Sequence, residues 1–87
     1  MLTVHIRKRD AAALEWLATY GHERVAGGTE TSLADCLRSA ADVLFPLAER
    51  LECRITYQER VAGPYPVSRL LLADELADHL AELARER

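Results

Sequence analysis

The 87-residue sequence has few of the residues that form disulfide bonds and no long apolar run of the kind that crosses a membrane. It has only two cysteines, Cys36 and Cys53, too few for a disulfide framework, and Cys36 lies in an apolar helical pattern typical of a buried reduced thiol. No apolar run reaches the length of a membrane span, and the first residues do not resemble a signal peptide. We therefore expect one cytoplasmic domain over residues 1–87, with no membrane association.

The sequence also lacks the motifs of catalysis and metal binding. His5, His22 and His79 lie in three separate segments, and their spacing to the cysteines matches no metal-ligand pattern. Gly27-Gly28 lacks the lysine of a phosphate-binding loop and is better interpreted as a turn. We expect no enzymatic activity, no catalytic residues, no metal and no cofactor.

Charge is spread unevenly, although the net charge is only −3. The first ten residues contain Arg7, Lys8 and Arg9 against Asp10 alone, whereas residues 69–87 contain three arginines against five acidic residues. This pattern predicts a molecule with a basic start and an acidic end.

Leucine and alanine supply 14 residues each, which favours helix. Apolar and polar residues alternate over residues 2–8, as expected for a strand with one buried face. We expect a helix over 11–20 capped by Asp10, a turn-rich connection, and a second helix that starts near Thr31-Ser32 and is kinked or split at Pro46. Alternation over 53–60 predicts another strand, and 62–66 a loop.

The last segment allows two interpretations. The favoured one is a single helix from Val67 to Arg85, with leucines at helical spacing. The other is a third strand over Val67–Leu72, with Asp74 capping a shorter helix. The predicted fold is α+β and mostly helical, in the order β-α-α-β-α. It comprises a strand-helix-helix unit over 2–51 and a strand with a carboxy-terminal helix over 52–87. The first strand pairs either across a dimer or with strand 53–60.

The predicted order is a strand with outward Thr3, His5 and Arg7, then a helix, a glycine-containing turn and a second helix that begins at Thr31-Ser32. This order resembles the ribbon-helix-helix family over residues 2–48. The resemblance implies a homodimeric repressor or antitoxin whose paired strands enter the major groove of duplex DNA. It implies that Thr3, His5 and Arg7 contact bases and that Lys8 and Arg9 neutralise phosphates. It also implies that the backbone near Thr31 and Ser32 holds a phosphate.

The alternative is a small two-layer domain in which strand 2–8 pairs with strand 53–60 of the same chain. Its outer sheet face then has the polar residues Thr3, His5, Arg7, Arg54, Thr56 and Arg60. Such a protein fits a non-enzymatic interaction module, an inhibitor or adaptor that acts by occupying a surface. In both hypotheses the carboxy-terminal helix is the expected dimer or partner surface, through Leu72, Leu76, Leu80 and Leu83.

Overall fold

The computed structural model describes residues 1–85 and forms a two-layer α/β structure. In chain order the elements are β1 (Leu2–Lys8), β2 (Leu14–Tyr20), β3 (Glu23–Glu30), α1 (Leu33–Ala48), β4 (Glu52–Tyr57), β5 (Arg60–Pro66), a 3₁₀ turn (Val67–Leu71) and α2 (Ala73–Arg85). The prediction of a mostly helical chain in the order β-α-α-β-α is wrong, because strands dominate the first half of the chain.

The five strands form one mixed sheet in the order β3-β2-β1-β4-β5. β1 is the central strand: it pairs antiparallel with β2 on one side and parallel with β4 on the other. A parallel pair needs a crossover connection, which α1 provides between β3 and β4. Both backbone edges of β1 are therefore paired within its own chain.

The two helices cover one face of the sheet and enclose a single core. Leu2, Val4 and Ile6 of β1 are at most 3% exposed, which confirms the alternation predicted for residues 2–8. Trp16 and Ile55 continue this apolar layer onto the neighbouring strands. The opposite face of the sheet is not covered by any element of residues 1–85.

Residues 11–20 form a turn and β2, not the predicted helix. Leu14, Trp16 and Ala18 point to the core, so the apolar period is two, although Leu14 and Leu17 also fit a helical spacing. Asp10 does not cap a helix, because its side chain accepts the N–H of Ala12 within the β1–β2 turn. Gly21, with a φ of 63°, then begins a short turn into β3.

The second predicted helix is confirmed as α1. Ser32 has extended backbone angles and accepts the N–H of Asp35 at 3.1 Å, as its N-cap position predicts. The helix is not divided at Pro46, which lies in its last turn. A proline there lacks the N–H that would bond the carbonyl of Asp42, and the helix ends two residues later at Ala48.

The strand predicted over 53–60 is present as β4, but it ends at Tyr57 and turns directly into β5. The predicted loop over 62–66 is part of β5. The single helix from Val67 is wrong, and so is the strand over Val67–Leu72, because a 3₁₀ turn occupies that segment. The shorter helix of the second interpretation is present as α2. Val67 and Leu70 of the 3₁₀ turn are buried, so apolar side chains of this segment reach the core without a long helix.

Candidate binding face

The uncovered face of the sheet, here called the open face, is polar and weakly basic. One row of directly paired residues crosses it from edge to edge: Gly27, Leu17, His5, Thr56 and Val61. A second row contains Thr29, Glu15 and Arg7, and a third contains Arg24, Thr19, Thr3 and Arg54. The open face therefore presents hydroxyls and arginines, with Leu17 as an apolar residue at its centre.

His5 joins the three central strands across this face. Its Nδ1 lies 3.0 Å from Thr56 Oγ1 on β4, and its Nε2 lies 3.3 Å from Thr19 Oγ1 on β2. In a neutral imidazole one ring nitrogen donates and the other accepts, so both contacts can be hydrogen bonds at once. Both ring nitrogens of His5 therefore have partners within the chain. These two contacts give the histidine a structural role at this position.

Arg7 and Glu15 are directly opposite each other on β1 and β2. Arg7 donates from Nη2 and Nε to Glu15 Oε1, at 2.8 and 3.2 Å. The Arg7 side chain is 78% exposed, so this pair contributes little stability, about 0–1 kcal/mol. Its position matters more, because the pair forms a ridge that borders a depression on each side.

The first depression, here called the arginine hollow, has a volume of about 390 Å³ and lies above Gly27 of β3. Arg7, Arg9 and Arg24 line it, together with Thr29, and Glu15 is the one carboxylate among its described lining residues. Arg9 donates weakly to Thr29 Oγ1 at 3.4 Å. Within residues 1–85, neither Arg9 nor Arg24 pairs with a carboxylate.

The arginine hollow depends on a glycine at position 27. A Cβ at Gly27 would lie 2.9 Å from the Arg24 guanidinium and 3.1 Å from the carbonyl oxygen of Trp16. Any side chain there would displace Arg24 and fill the floor. Guanidinium groups around such a floor can donate paired hydrogen bonds to a carboxylate or a phosphate.

The second depression, here called the groove, is a wider opening of about 910 Å³ on the other side of the Arg7–Glu15 ridge. Its floor includes His5, Leu17 and Thr56, and the β4–β5 turn forms its far wall. Gln58 and Glu59 in that turn both have positive φ, 48° and 66°, which is uncommon for residues other than glycine.

The structure brings only part of the predicted nucleic-acid site together. Thr3, His5 and Arg7 lie on the open face, and Arg9 lines the arginine hollow beside Arg7. Lys8 lines the groove, but it also borders a separate hollow of about 190 Å³ with Thr31. Thr31 and Ser32 precede α1, which packs on the opposite side of the sheet.

The strand-helix-helix arrangement behind the ribbon-helix-helix resemblance is not formed. Residues 14–20 are β2 where the family would have its first helix, and β1 has no free edge with which to pair across a dimer. The polar residues of β1 lie in the middle of a five-stranded sheet instead of on a two-stranded ribbon.

The leucines predicted as a partner surface are mostly internal. Leu76 and Leu80 are at most 2% exposed, and Leu83 packs against the same core, because this side of α2 faces the core. Leu72 is 49% exposed. The four residues therefore do not form one continuous outer face.

Sequence reasoning missed Leu17, Arg24, Gly27 and Thr29, which form one half of the open face. The sequence predicts a helix over 11–20 and a turn-rich connection after it, so it places neither segment in the sheet. The alternation of Leu14, Trp16 and Ala18 was the available signal.

Neither thiol nor metal chemistry offers an alternative site. Cys36 and Cys53 are free and fully buried, and burial raises the pKa of each thiol to about 11. Both thiols are thus unreactive at neutral pH. Among residues 1–85, no group of three or more histidine, cysteine, aspartate or glutamate residues could hold a metal ion.

Comparisons of the chain with protein-family models, with curated proteins and with solved structures found no match. Over residues 1–85, neither helix has the length and apolar character needed to cross a membrane.

Proposed function

We propose that this protein is a non-enzymatic interaction module that binds an acidic segment of a partner protein in its arginine hollow. The observation that carries the proposal is the convergence of Arg7, Arg9 and Arg24 above Gly27, with Glu15 as the one described carboxylate among them. Because Glu15 already pairs with Arg7, the other two guanidiniums have donors available for an incoming carboxylate.

The shape of the sheet favours a protein partner over duplex DNA. Five strands spaced about 4.8 Å apart span roughly 19 Å, whereas the major groove is about 12 Å wide. The open face is therefore too broad to enter the groove as a two-stranded ribbon does.

The residue types of the open face favour a protein over single-stranded nucleic acid. Proteins that bind single strands usually place exposed aromatic rings where bases can stack. Here Leu17, His5 and Thr56 occupy the centre of the face, and the imidazole is held by two threonines. Hydroxyls, a leucine and convergent arginines are more suited to a protein surface with carboxylates.

A glutamate-rich peptide titrated onto the protein, followed by calorimetry, tests the proposal. Arg24→Gln and Arg9→Gln should each weaken binding roughly threefold to fivefold, as expected for exposed ion pairs. Affinity should also fall as salt is raised, because exposed charges are screened. Arg50→Gln is the matched control, since Arg50 follows α1, outside both depressions.

The same titration with a short duplex DNA separates the two hypotheses. We expect the peptide to bind more tightly than the DNA at equal salt. DNA binding that is tighter and lost in Arg24→Gln would favour the nucleic-acid hypothesis, and equal peptide affinities for Arg24→Gln and the Arg50→Gln control would contradict the assignment of the arginine hollow.

A further inference from the structure

The arginine hollow and the groove are two ends of one linear site. One row of cross-strand pairs contains, in order, Gly27, Leu17, His5 and Thr56. This row runs from the floor of the hollow to the floor of the groove. Neighbouring strands are about 4.8 Å apart, which places the two floors roughly 10–12 Å from each other. A single short segment of a partner can therefore reach both.

The groove differs from the hollow because the polar side chains of its floor, and the Arg7–Glu15 ridge beside it, are already paired. Both ring nitrogens of His5 contact threonines, and Arg7 is paired with Glu15. Gln58 Nε2 lies 3.1 Å from the Tyr57 hydroxyl. What the groove offers an occupant is the half-buried Leu17, with the threonine methyl groups and the aliphatic stem of Arg7.

We infer that the partner segment has two anchors, an acidic residue in the arginine hollow and a large apolar residue in the groove, three or four positions apart in an extended conformation. An extended chain advances about 3.3 Å per residue, so this spacing matches the distance between the two floors. The inference rests on the proposed function for its acidic anchor, and it adds the apolar anchor and the spacing.

Three peptides of equal net charge test the two-anchor site. The first has a glutamate in a glycine-serine background, the second adds a leucine three positions away, and the third places that leucine next to the glutamate. The second should bind about tenfold more tightly than the first, because it buries one leucine side chain. The third should gain much less, since an adjacent leucine cannot reach the groove.

Two matched variants locate the effect. In Leu17→Thr the affinity ratio of the second peptide to the first should fall toward one, because the groove loses its central apolar side chain. Val61→Thr should keep the ratio, since Val61 is exposed on the same row and lines neither depression.

The outcomes distinguish this inference from the proposed function. Equal gains from the second and third peptides, or a ratio unaffected by Leu17→Thr, would overturn the two-anchor site while leaving the acidic site intact. The arginine hollow would be overturned instead if the first peptide did not bind at all and the tighter binding conferred by the leucine persisted in Arg24→Gln. No binding of any peptide would overturn both.

Discussion

Trp16 and Gly28 are opposite each other on β2 and β3, with the indole ring lying over the glycine. A Cβ at position 28 would lie only 2.8 Å from Trp16 Nε1 and 3.3 Å from Cε2. Among the described residues, the buried Nε1 has no hydrogen-bond partner, which costs about 1–3 kcal/mol. The close packing of this large ring is what the core gains in return, and it requires glycine at position 28.

Gly28→Ala should therefore lower the free energy of unfolding by about 1–3 kcal/mol, as is usual when a packed core receives an extra methyl group. Urea unfolding measures this change. In a Trp16→Phe background the same substitution should cost less, because the phenyl ring lacks Nε1. Equal costs in the two backgrounds would show that the indole is not the source of the clash.

At the residue scale, only half of the open face could be predicted from the sequence. Alternation identified Thr3, His5 and Arg7 as one face of β1, and this is confirmed. Arg24 and Gly27 reach that face only through the register of β3 against β2, which is set by long-range pairing and has an irregularity near Ala18. No local pattern in residues 21–30 specifies that register.

At the scale of elements, β2 shows how a short apolar pattern misleads. Leu14 and Leu17 fit a helix, whereas Leu14, Trp16 and Ala18 fit a strand, and preceding alanines favoured the helix. Pairing with β1 and β3 on both sides outweighs that weak preference, because tertiary context overrides intrinsic propensity. By contrast, α1 was predictable because its cap and its apolar period agree over 16 residues.

The β4–β5 hairpin was missed for a different reason. Its turn residues, Gln58 and Glu59, both have positive φ, the geometry for which asparagine and glycine are strongly preferred. Gln58→Asn combined with Glu59→Gly should therefore raise the free energy of unfolding by about 1 kcal/mol, because the left-handed backbone becomes less costly. Thermal or urea unfolding measures the gain.

Replacing the same two residues by alanine is the control for the turn. Alanine keeps the Cβ that makes positive φ unfavourable, so no stabilisation is expected. If the alanine pair stabilises the protein as much as the asparagine-glycine pair, backbone strain in this turn is not the cause.

At the scale of the whole molecule, the fold separates charge between two layers. The open face has Arg7, Arg24 and Arg54 against Glu15, whereas α2 has four acidic residues against Arg85. The uneven charge of the sequence thus becomes a difference between the two sides of the structure. This orientation presents the arginine hollow to an acidic partner and turns α2 away from it.

Between these layers, the core contains two thiols whose ionisation is linked to the stability of the whole chain. Burial is the main cause that raises the pKa of Cys36 and Cys53 to about 11 from 9.0. Below pH 9 both thiols are protonated in the folded and unfolded states, so their contribution to stability is fully present. Between pH 9 and 11 the unfolded chain releases these protons first, which favours unfolding.

The free energy of unfolding should therefore fall between pH 9 and 11, by an amount approaching about 2–3 kcal/mol for each thiol. Urea unfolding at successive pH values, with a reductant present, measures the decrease. The double variant Cys36→Ala/Cys53→Ala supplies the baseline, because it lacks both thiols. Its stability should decrease less steeply, and parallel pH profiles for the two proteins would show that the thiols are not protected by the core.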